Sequence, residues 1–334
     1  DFCLSRGLGD VYKRQGDATA FLSVMRILPY WFPLHRTPMF TQVTSSLGQM
    51  GQFISAVPFL WLLGAAGWTA AFVTLGAVGI LVAIAAIVAV ADSPEKLGII
   101  ATEKEPPNSQ ATSIPARLKK VFRSPVAWQA YFIHYIGMLP LIIFVMLWGM
   151  PMMTQGMELS KAKSSLVLTL LAVFLVFVGP LHGKISSRAQ HVRPWLSLGF
   201  VVVHVLTWLV FFAFGTDIGL PAILVVSFIT ALCTPTANYG FDIVRERMDR
   251  SVVATATGLG NMGGFTSGML GAQLFGMVLD HSSDAPNYSM PDFTAASTAV
   301  LAVWVVGMVG VVITQFLRRR AGEDGPSVTI VEVS

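Results

Sequence analysis

A ten-residue stretch occurs twice in this chain, and it constrains the fold more than any other feature. Residues 47–56 read L-G-Q-M-G-Q-F-I-S-A, and residues 259–268 read L-G-N-M-G-G-F-T-S-G. Leu, Gly, Met, Gly, Phe and Ser recur in register, and Gln49 answers to Asn261 at an offset of 259 − 47 = 212 residues. A fixed offset of this kind points to an internal duplication. Both copies lie inside apolar runs long enough to cross a bilayer. In the second copy Gly260, Gly264, Gly268, Ala272 and Gly276 recur every four residues and line one helix face with small side chains. Lipid supplies no hydrophobic force between helices, so small residues are what bring their backbones into contact. Gly48, Gly51, Gly260, Gly264 and Gly268 are therefore expected to be helix-packing positions. Any membrane helix collects glycines, and it is the matched Gln49 and Asn261 that favour duplication over that simpler reading.

Charged residues make up 12% of the chain and hydrophobic ones 54%. A soluble domain of this size carries about twice that charge, so the composition implies an all-α integral membrane protein. The sequence predicts nine apolar spans, at 16–33, 39–63, 69–91, 126–150, 162–182, 194–214, 219–241, 252–279 and 295–317. Connections are short apart from 92–125, read as a linker that closes on a basic amphipathic piece, Ala116 to Arg123, lying on the headgroups. Residues Ser5 to Gln15, S-R-G-L-G-D-V-Y-K-R-Q, read like a translated sequencing-library adapter, so 1–15 is set apart from the fold. Cys3 and Cys233 are the two cysteines, which implies neither a disulfide framework nor a thiolate metal site. No cofactor or metal is expected. The basic residues fall in short loops rather than on one face, so nucleic acid is not expected as a partner.

Lys and Arg fall in alternate loops. One set holds Arg36, Lys96, Lys104, Arg117, Lys119, Lys120, Arg123, Lys184, Arg188, Arg193, Arg245, Arg247, Arg250 and Arg318 to Arg320, whereas the opposite loops hold Lys161 and Lys163 among acidic residues. The basic set is read as cytoplasmic, with the C-terminal tail at 321–334 inside. Six spans separate the matched stretches, so both copies run the same way through the bilayer. A six-helix unit at 126–320 and three spans at 16–91 then imply two parallel six-helix halves, nine helices present of an expected twelve.

Twelve helices in two parallel halves with a long cytoplasmic linker resemble the major facilitator superfamily of secondary transporters, across Gly16 to Arg320. Gly16-Asp17-Ala18 through Arg26 to Trp31-Phe32-Pro33 resembles the family's fourth helix and its cytoplasmic turn. Gly67-Trp68 with Ala71-Phe72 resembles the outer turn between the fifth and sixth helices, and Trp148-Gly149 with Pro151 the end of the seventh. Gly179-Pro180-Leu181-His182-Gly183-Lys184, with Arg188 beyond, resembles the family's cytoplasmic loop motif, although its acidic position is Gly183 here. The fifth-helix antiporter motif is not matched. Gly258 to Gly264 is similar to the nitrate-transporter signature, yet Ala162 to Val178 carries no buried Arg to hold an anion.

The resemblance implies a permease that moves a small solute by alternating access, in the plasma (inner) membrane as a multi-pass monomer. Protons are the expected coupling ion, through Asp17 and His134. Ionisable groups at lipid depth are costly and therefore functional candidates. Asp17, Arg26, Gln49, Gln52, Tyr131, His134, Asn238, Tyr239, Asp242 and Asn261 are the expected substrate and ion pathway residues. Tyr131, His134, Tyr135 and Met138 share one helix face by their spacing. Asn238, Tyr239 and Asp242 follow Pro235, where a kink opens hydrogen-bonding groups. Each has a structural alternative: Asp242 would pair with Arg245 or Arg247, and the glutamines would bond between helices. A membrane-embedded enzyme or scaffold is the alternative function, but no H-E-x-x-H, G-x-S-x-G or phosphate-cradling G-x-x-x-x-G-K-[ST] motif is present. With three spans in its first half, the chain is expected to be inactive on its own.

Overall fold

The computed structural model describes residues 23–25, 27–33, 35–91, 94–98, 113–282 and 287–322; within these, the side chains at 49, 50, 52–57, 60, 95 and 96 fall outside the description. All regular structure among them is helical, with no strand among the described residues. The long helices are α1 (Thr37–Ala89), α3 (Pro125–Gly156), α4 (Lys161–Arg188), α5 (Arg193–Gly215), α6 (Leu220–Arg247), α7 (Arg250–Ser282) and α8 (Met290–Arg320). Between α1 and α3 lies the short α2 (Ile114–Arg123). Pro38, Pro115, Pro125, Pro194, Pro221 and Pro291 each stand in a first helical turn. There the missing N–H would have had no intrahelical partner, and the fixed φ favours the helix.

Among the described residues seven helices are long and apolar enough to span a bilayer: Trp61–Ala89 in α1, and α3 to α8. They coincide with the expected spans from 69–91 onward. The expected span 39–63 falls in the first part of α1; of 16–33, residues 23–25 and 27–33 are described and are helical as far as Trp31, while 1–15, Pro106 to Thr112 and the tail beyond Gly322 lie outside the described residues.

Helix α1 is two arms. Gly67 adopts φ 78°, ψ 177°, a left-handed conformation that a side chain would resist. The rings of Phe59 and Phe72 stand 5.3 Å apart. An unbroken helix would place residues separated by 72 − 59 = 13 positions about 20 Å apart along its axis. The second arm therefore folds back beside the first. The returning end closes on the start, where Trp31 Nε1 donates to the Ala91 carbonyl at 3.2 Å. This is the turn that the Gly67-Trp68 pair predicts.

Helix α3 is the centre of the second group. Of its most apolar window 61% is buried, against 6% for Trp61–Ala89. Glycines on three neighbours make room for it. A Cβ at Gly264 would stand 2.7 Å from His134 Cδ2, one at Gly268 2.7 Å from Ile142 Cδ1, and one at Gly260 3.4 Å from Ala130 Cβ. At Gly263 it would strike the backbone carbonyl of Tyr131. A Cβ at Gly240 on α6 would stand 2.8 Å from the Ala130 backbone, and one at Gly307 on α8 2.5 Å from Ile136. Polar bonds fix the register: Trp304 Nε1 donates to the Ile136 carbonyl at 2.8 Å, and Gln129 Nε2 to Gln315 Oε1 at 2.6 Å. On the flank, His204 Nε2 meets Thr230 Oγ1 at 2.9 Å and joins α5 to α6.

The first copy of the repeat behaves differently. No described atom lies within 4 Å of a Cβ built at Gly48 or Gly51. The expected close helix contact at these two glycines is therefore not found among the described residues. The same sequence faces a different neighbourhood, and a small side chain brings helices together only where a second helix stands opposite.

This contrast is testable by thermal unfolding of the purified protein. Gly263→Ala is expected to lose about 1–3 kcal/mol, because the backbone it meets cannot swing aside. Gly51→Ala is expected to be neutral or to gain up to about 1 kcal/mol from helix propensity alone.

Candidate functional site

A cavity of about 410 Å³ with a mixed apolar and polar lining lies between Val24, Met25 and the first arm of α1 on one side and the group formed by α3, α4, α6 and α7 on the other. Gln42, Thr44, Ser45, Ser46 and Gly48 line it from α1, His134, Met138 and Leu141 from α3, and Gly179 from α4. Thr234, Pro235, Ala237 and Asn238 line it from α6, and Asn261 from α7. Amides, hydroxyls and one imidazole dominate its polar surface. No carboxylate, Lys or Arg is among its described lining.

Local structure explains why α6 supplies so many polar groups. After Cys233 the helix tightens into a 3-10 stretch over Thr234–Asn238 around Pro235. Carbonyls there become available to side chains of other helices, which membrane helices tolerate where a cavity or neighbour satisfies them. Gln42 Nε2 donates to the Pro235 carbonyl at 2.8 Å, and Asn238 Nδ2 donates to Gln42 Oε1 at 3.0 Å. The Ala237 carbonyl accepts from His134 Nδ1 at 3.1 Å. A carbonyl can only accept, so Nδ1 bears the hydrogen and Nε2 of the neutral ring is left with the lone pair.

Toward the basic-loop end, a second polar layer closes the cavity. Arg245 on α6 ion-pairs with Asp242 one turn earlier and donates to Thr41 Oγ1 on α1 at 2.6 Å. Ser186 on α4 donates to the other Asp242 oxygen. Beside them Arg193 grips Glu246 with two bonds of 2.6 and 2.8 Å and donates through Nε to the Ser186 carbonyl at 2.9 Å. Arg193, Asp242 and Arg245 are all buried. Buried ions persist only when paired and hydrogen-bonded, and these are both. Glycines bring α1 close enough for the bonds to form: a Cβ at Gly183 would stand 2.5 Å from Met39 Cα, and one at Gly179 would collide with Ser46 Oγ.

Of the expected pathway residues, the fold brings His134, Asn238 and Asn261 to the cavity wall. Four expectations change. Tyr131 and Tyr135 do not share the cavity face with His134 and Met138; Tyr135 packs against Gly307 and the Tyr131 carbonyl against Gly263. Tyr239 is buried behind the wall with its hydroxyl 2.8 Å from His182 Nδ1. Asp242 is locked in the buried ion pair rather than placed at a surface or cavity. Gly179, Gly183, Lys184 and Arg188, expected in a cytoplasmic loop, continue helix α4 to its last residue, with the two glycines seating α1. Arg188 in that last turn suits the helix dipole and keeps the helix going. Asp17, Arg26 and the side chains of Gln49 and Gln52 lie outside the described residues.

Sequence reasoning passed over Gln42 and its neighbours. The signal was present, since Thr41, Gln42, Thr44, Ser45 and Ser46 are five polar side chains in six positions of an otherwise apolar span.

A multi-pass helical bundle with a cavity between helix groups is an arrangement that membrane transporters use. Comparison with known families bears this out: the family model described as Major Facilitator Superfamily matches residues 16–272, and the chain belongs to that family. No curated protein matches the chain.

Asp242→Asn leaves the Arg245 guanidinium buried without its counter-ion, and is expected to cost about 3–5 kcal/mol in thermal or denaturant unfolding. The double variant Asp242→Asn, Arg245→Gln removes both charges and is expected to recover most of that loss.

Proposed function

We propose that this chain is part of a secondary active permease, in which a small solute occupies the cavity between α1 and the α3–α8 group. Alternating access proceeds by rocking of the two groups about that cavity. The observation that carries this reading is the hydrogen-bonded floor between the groups: Gln42 to Pro235 and Asn238, then Thr41 to Arg245. Such bonds can be exchanged for water when the basic end opens, as α1 lifts from its seat over Gly179 and Gly183. The amide and hydroxyl lining supports a solute that is recognised by hydrogen bonds.

The repeat arithmetic and the loop charges support nine spans of a twelve-helix, two-half carrier in the plasma membrane, with the basic loops and the C-terminal tail cytoplasmic. In that frame the bonded floor is the cytoplasmic gate. Proton coupling through His134 is supported by its place on the cavity wall and by an Nε2 lone pair that can take a proton when the cavity opens.

The gate reading is tested with the paired substitution Gln42→Cys, Asn238→Cys in a background with Cys3 and Cys233 replaced. Oxidative cross-linking should cut solute uptake by the twelve-helix carrier in proteoliposomes at least tenfold, and reductant should restore it. Uptake that continues with the cross-link formed sinks the proposal. For coupling, His134→Gln is expected to abolish accumulation driven by a pH gradient while leaving solute exchange at equal pH. Unchanged gradient-driven accumulation would remove His134 from the proton path.

A further inference from the structure

Helix α2 is a device apart from the cavity. Its ten residues, I-P-A-R-L-K-K-V-F-R, carry four cations and no acidic residue. Val121 is its one buried side chain. Ile114, Leu118 and Phe122, spaced four apart on one face, remain 72%, 41% and 51% exposed. A helix that packed on protein through its apolar ridge would bury these three. Instead the ridge is left outside while Val121 anchors the helix, and the Phe122 carbonyl accepts from Trp128 Nε1 of α3 at 2.8 Å. One residue, Ser124, separates α2 from the spanning helix α3, so the ridge lies where hydrocarbon gives way to headgroups. Lys119, Lys120 and Arg123 are exposed around it. Lys120 pairs with Asp249, which sits in the α6–α7 connection, and both members of the pair are more than half exposed.

We propose that α2 is a binding site for the anionic phospholipids of the leaflet at the basic end. The ridge inserts among acyl chains, Lys119 and Arg123 meet headgroup phosphates, and Lys120 is shared between Asp249 and a phosphate. Charge complementarity selects this occupant: an apolar ridge flanked by cations fits a negatively charged lipid surface, and a soluble acidic partner would leave the ridge in water. Each cation strengthens attachment to an anionic membrane surface about fivefold. Because Asp249 competes for Lys120, lipid charge acts on the α6–α7 connection and not only on α2.

The test uses the purified chain in neutral detergent micelles, with its melting temperature followed as lipid is titrated in. A ligand that binds only the folded state stabilises it by RT ln(1 + [L]/Kd), so the concentration needed for a given rise in melting temperature reports the affinity. Phosphatidylglycerol should raise it with dose, and phosphatidylcholine or inorganic phosphate at equal concentration should not. Lys119→Gln, Lys120→Gln and Arg123→Gln combined should raise the phosphatidylglycerol concentration for a given shift (the half-effect concentration, at half the largest shift of the unsubstituted chain) at least tenfold, with the lipid-free melting temperature unchanged. Leu118→Gln with Phe122→Gln should also weaken the response, at full charge. Asp249→Asn should lower the half-effect concentration, up to about fivefold. An unchanged response in the triple variant, an equal shift with phosphatidylcholine or phosphate, or weaker binding in Asp249→Asn would each overturn the proposal.

Discussion

Everything else in this structure depends on backbones coming closer than ordinary side chains permit. Helix α3 is surrounded by glycines that belong to its neighbours: Gly263 at the Tyr131 carbonyl, Gly240 at Ala130, Gly307 at Ile136. In water such a centre would be held by expelled solvent. In lipid that force between helices is absent, and what remains is dispersion between well-fitted surfaces plus the hydrogen bonds that close approach allows. The same device works where α1 lies on α4 over Gly179 and Gly183. There its consequence is chemical as well as mechanical, because only a closely seated α1 lets Thr41 reach Arg245 and Gln42 reach Asn238.

Two classes of contact therefore divide the molecule. Around α3 the contacts are steric fits of backbone into side chain, with the Trp304 and Gln129 bonds fixing register. They have no alternative partner. Between α1 and the α3–α8 group the steric seat over Gly179 and Gly183 is joined by amide and hydroxyl bonds, which water could replace at little cost were that end to open. The buried ions sit on the α3–α8 side of this divide. Asp242 and Arg245 both belong to α6, and Arg193 holds Glu246 within the same group, so motion at the Thr41 contact leaves each charge with its counter-ion. A moving interface that separated buried ions would face the desolvation penalty at every cycle.

The helices were legible in the sequence because twenty apolar residues between basic loops leave few alternatives. The glycine seam at Gly260, Gly264 and Gly268 was legible too, since a four-residue period defines a face without knowledge of its partner. Gly48 and Gly51 show where that reasoning stops: the period names a face, but not what stands opposite. Gly179 to Arg188 misled for another reason. Glycines and cations after an apolar span look like a loop, yet cations in a last turn favour the helix, and the glycines were seats for α1. His134, Asn238 and Asn261 were found because polar groups at lipid depth are rare. Tyr239 and Asp242 passed the same filter and turned out to be satisfied by His182, Ser186 and Arg245. Polarity alone does not separate a cavity wall from an internally satisfied network. Gln42 escaped because one amide in an apolar span drew less notice than the glycines after it.

The repeat also limits how symmetric the gate can be. Adding the offset of 212 to Gln42 gives Ala254, and subtracting it from Asn238 gives Arg26. The symmetry counterpart of the Gln42–Asn238 bond would thus pair an arginine with an alanine, whose side chain cannot accept from it. Thr41 maps to Val253 in the same way, so the Arg245 contact has no polar side-chain twin at that offset either. The glycine stretch therefore recurs at the offset and the polar run before it does not. A twofold arrangement of matched helices would begin with two equal interfaces. On the proposed rocking cycle, the polar side chains at the six positions from Thr41 to Ser46 would make closure at the basic end stronger than closure at its mate, and so bias which way the resting carrier faces.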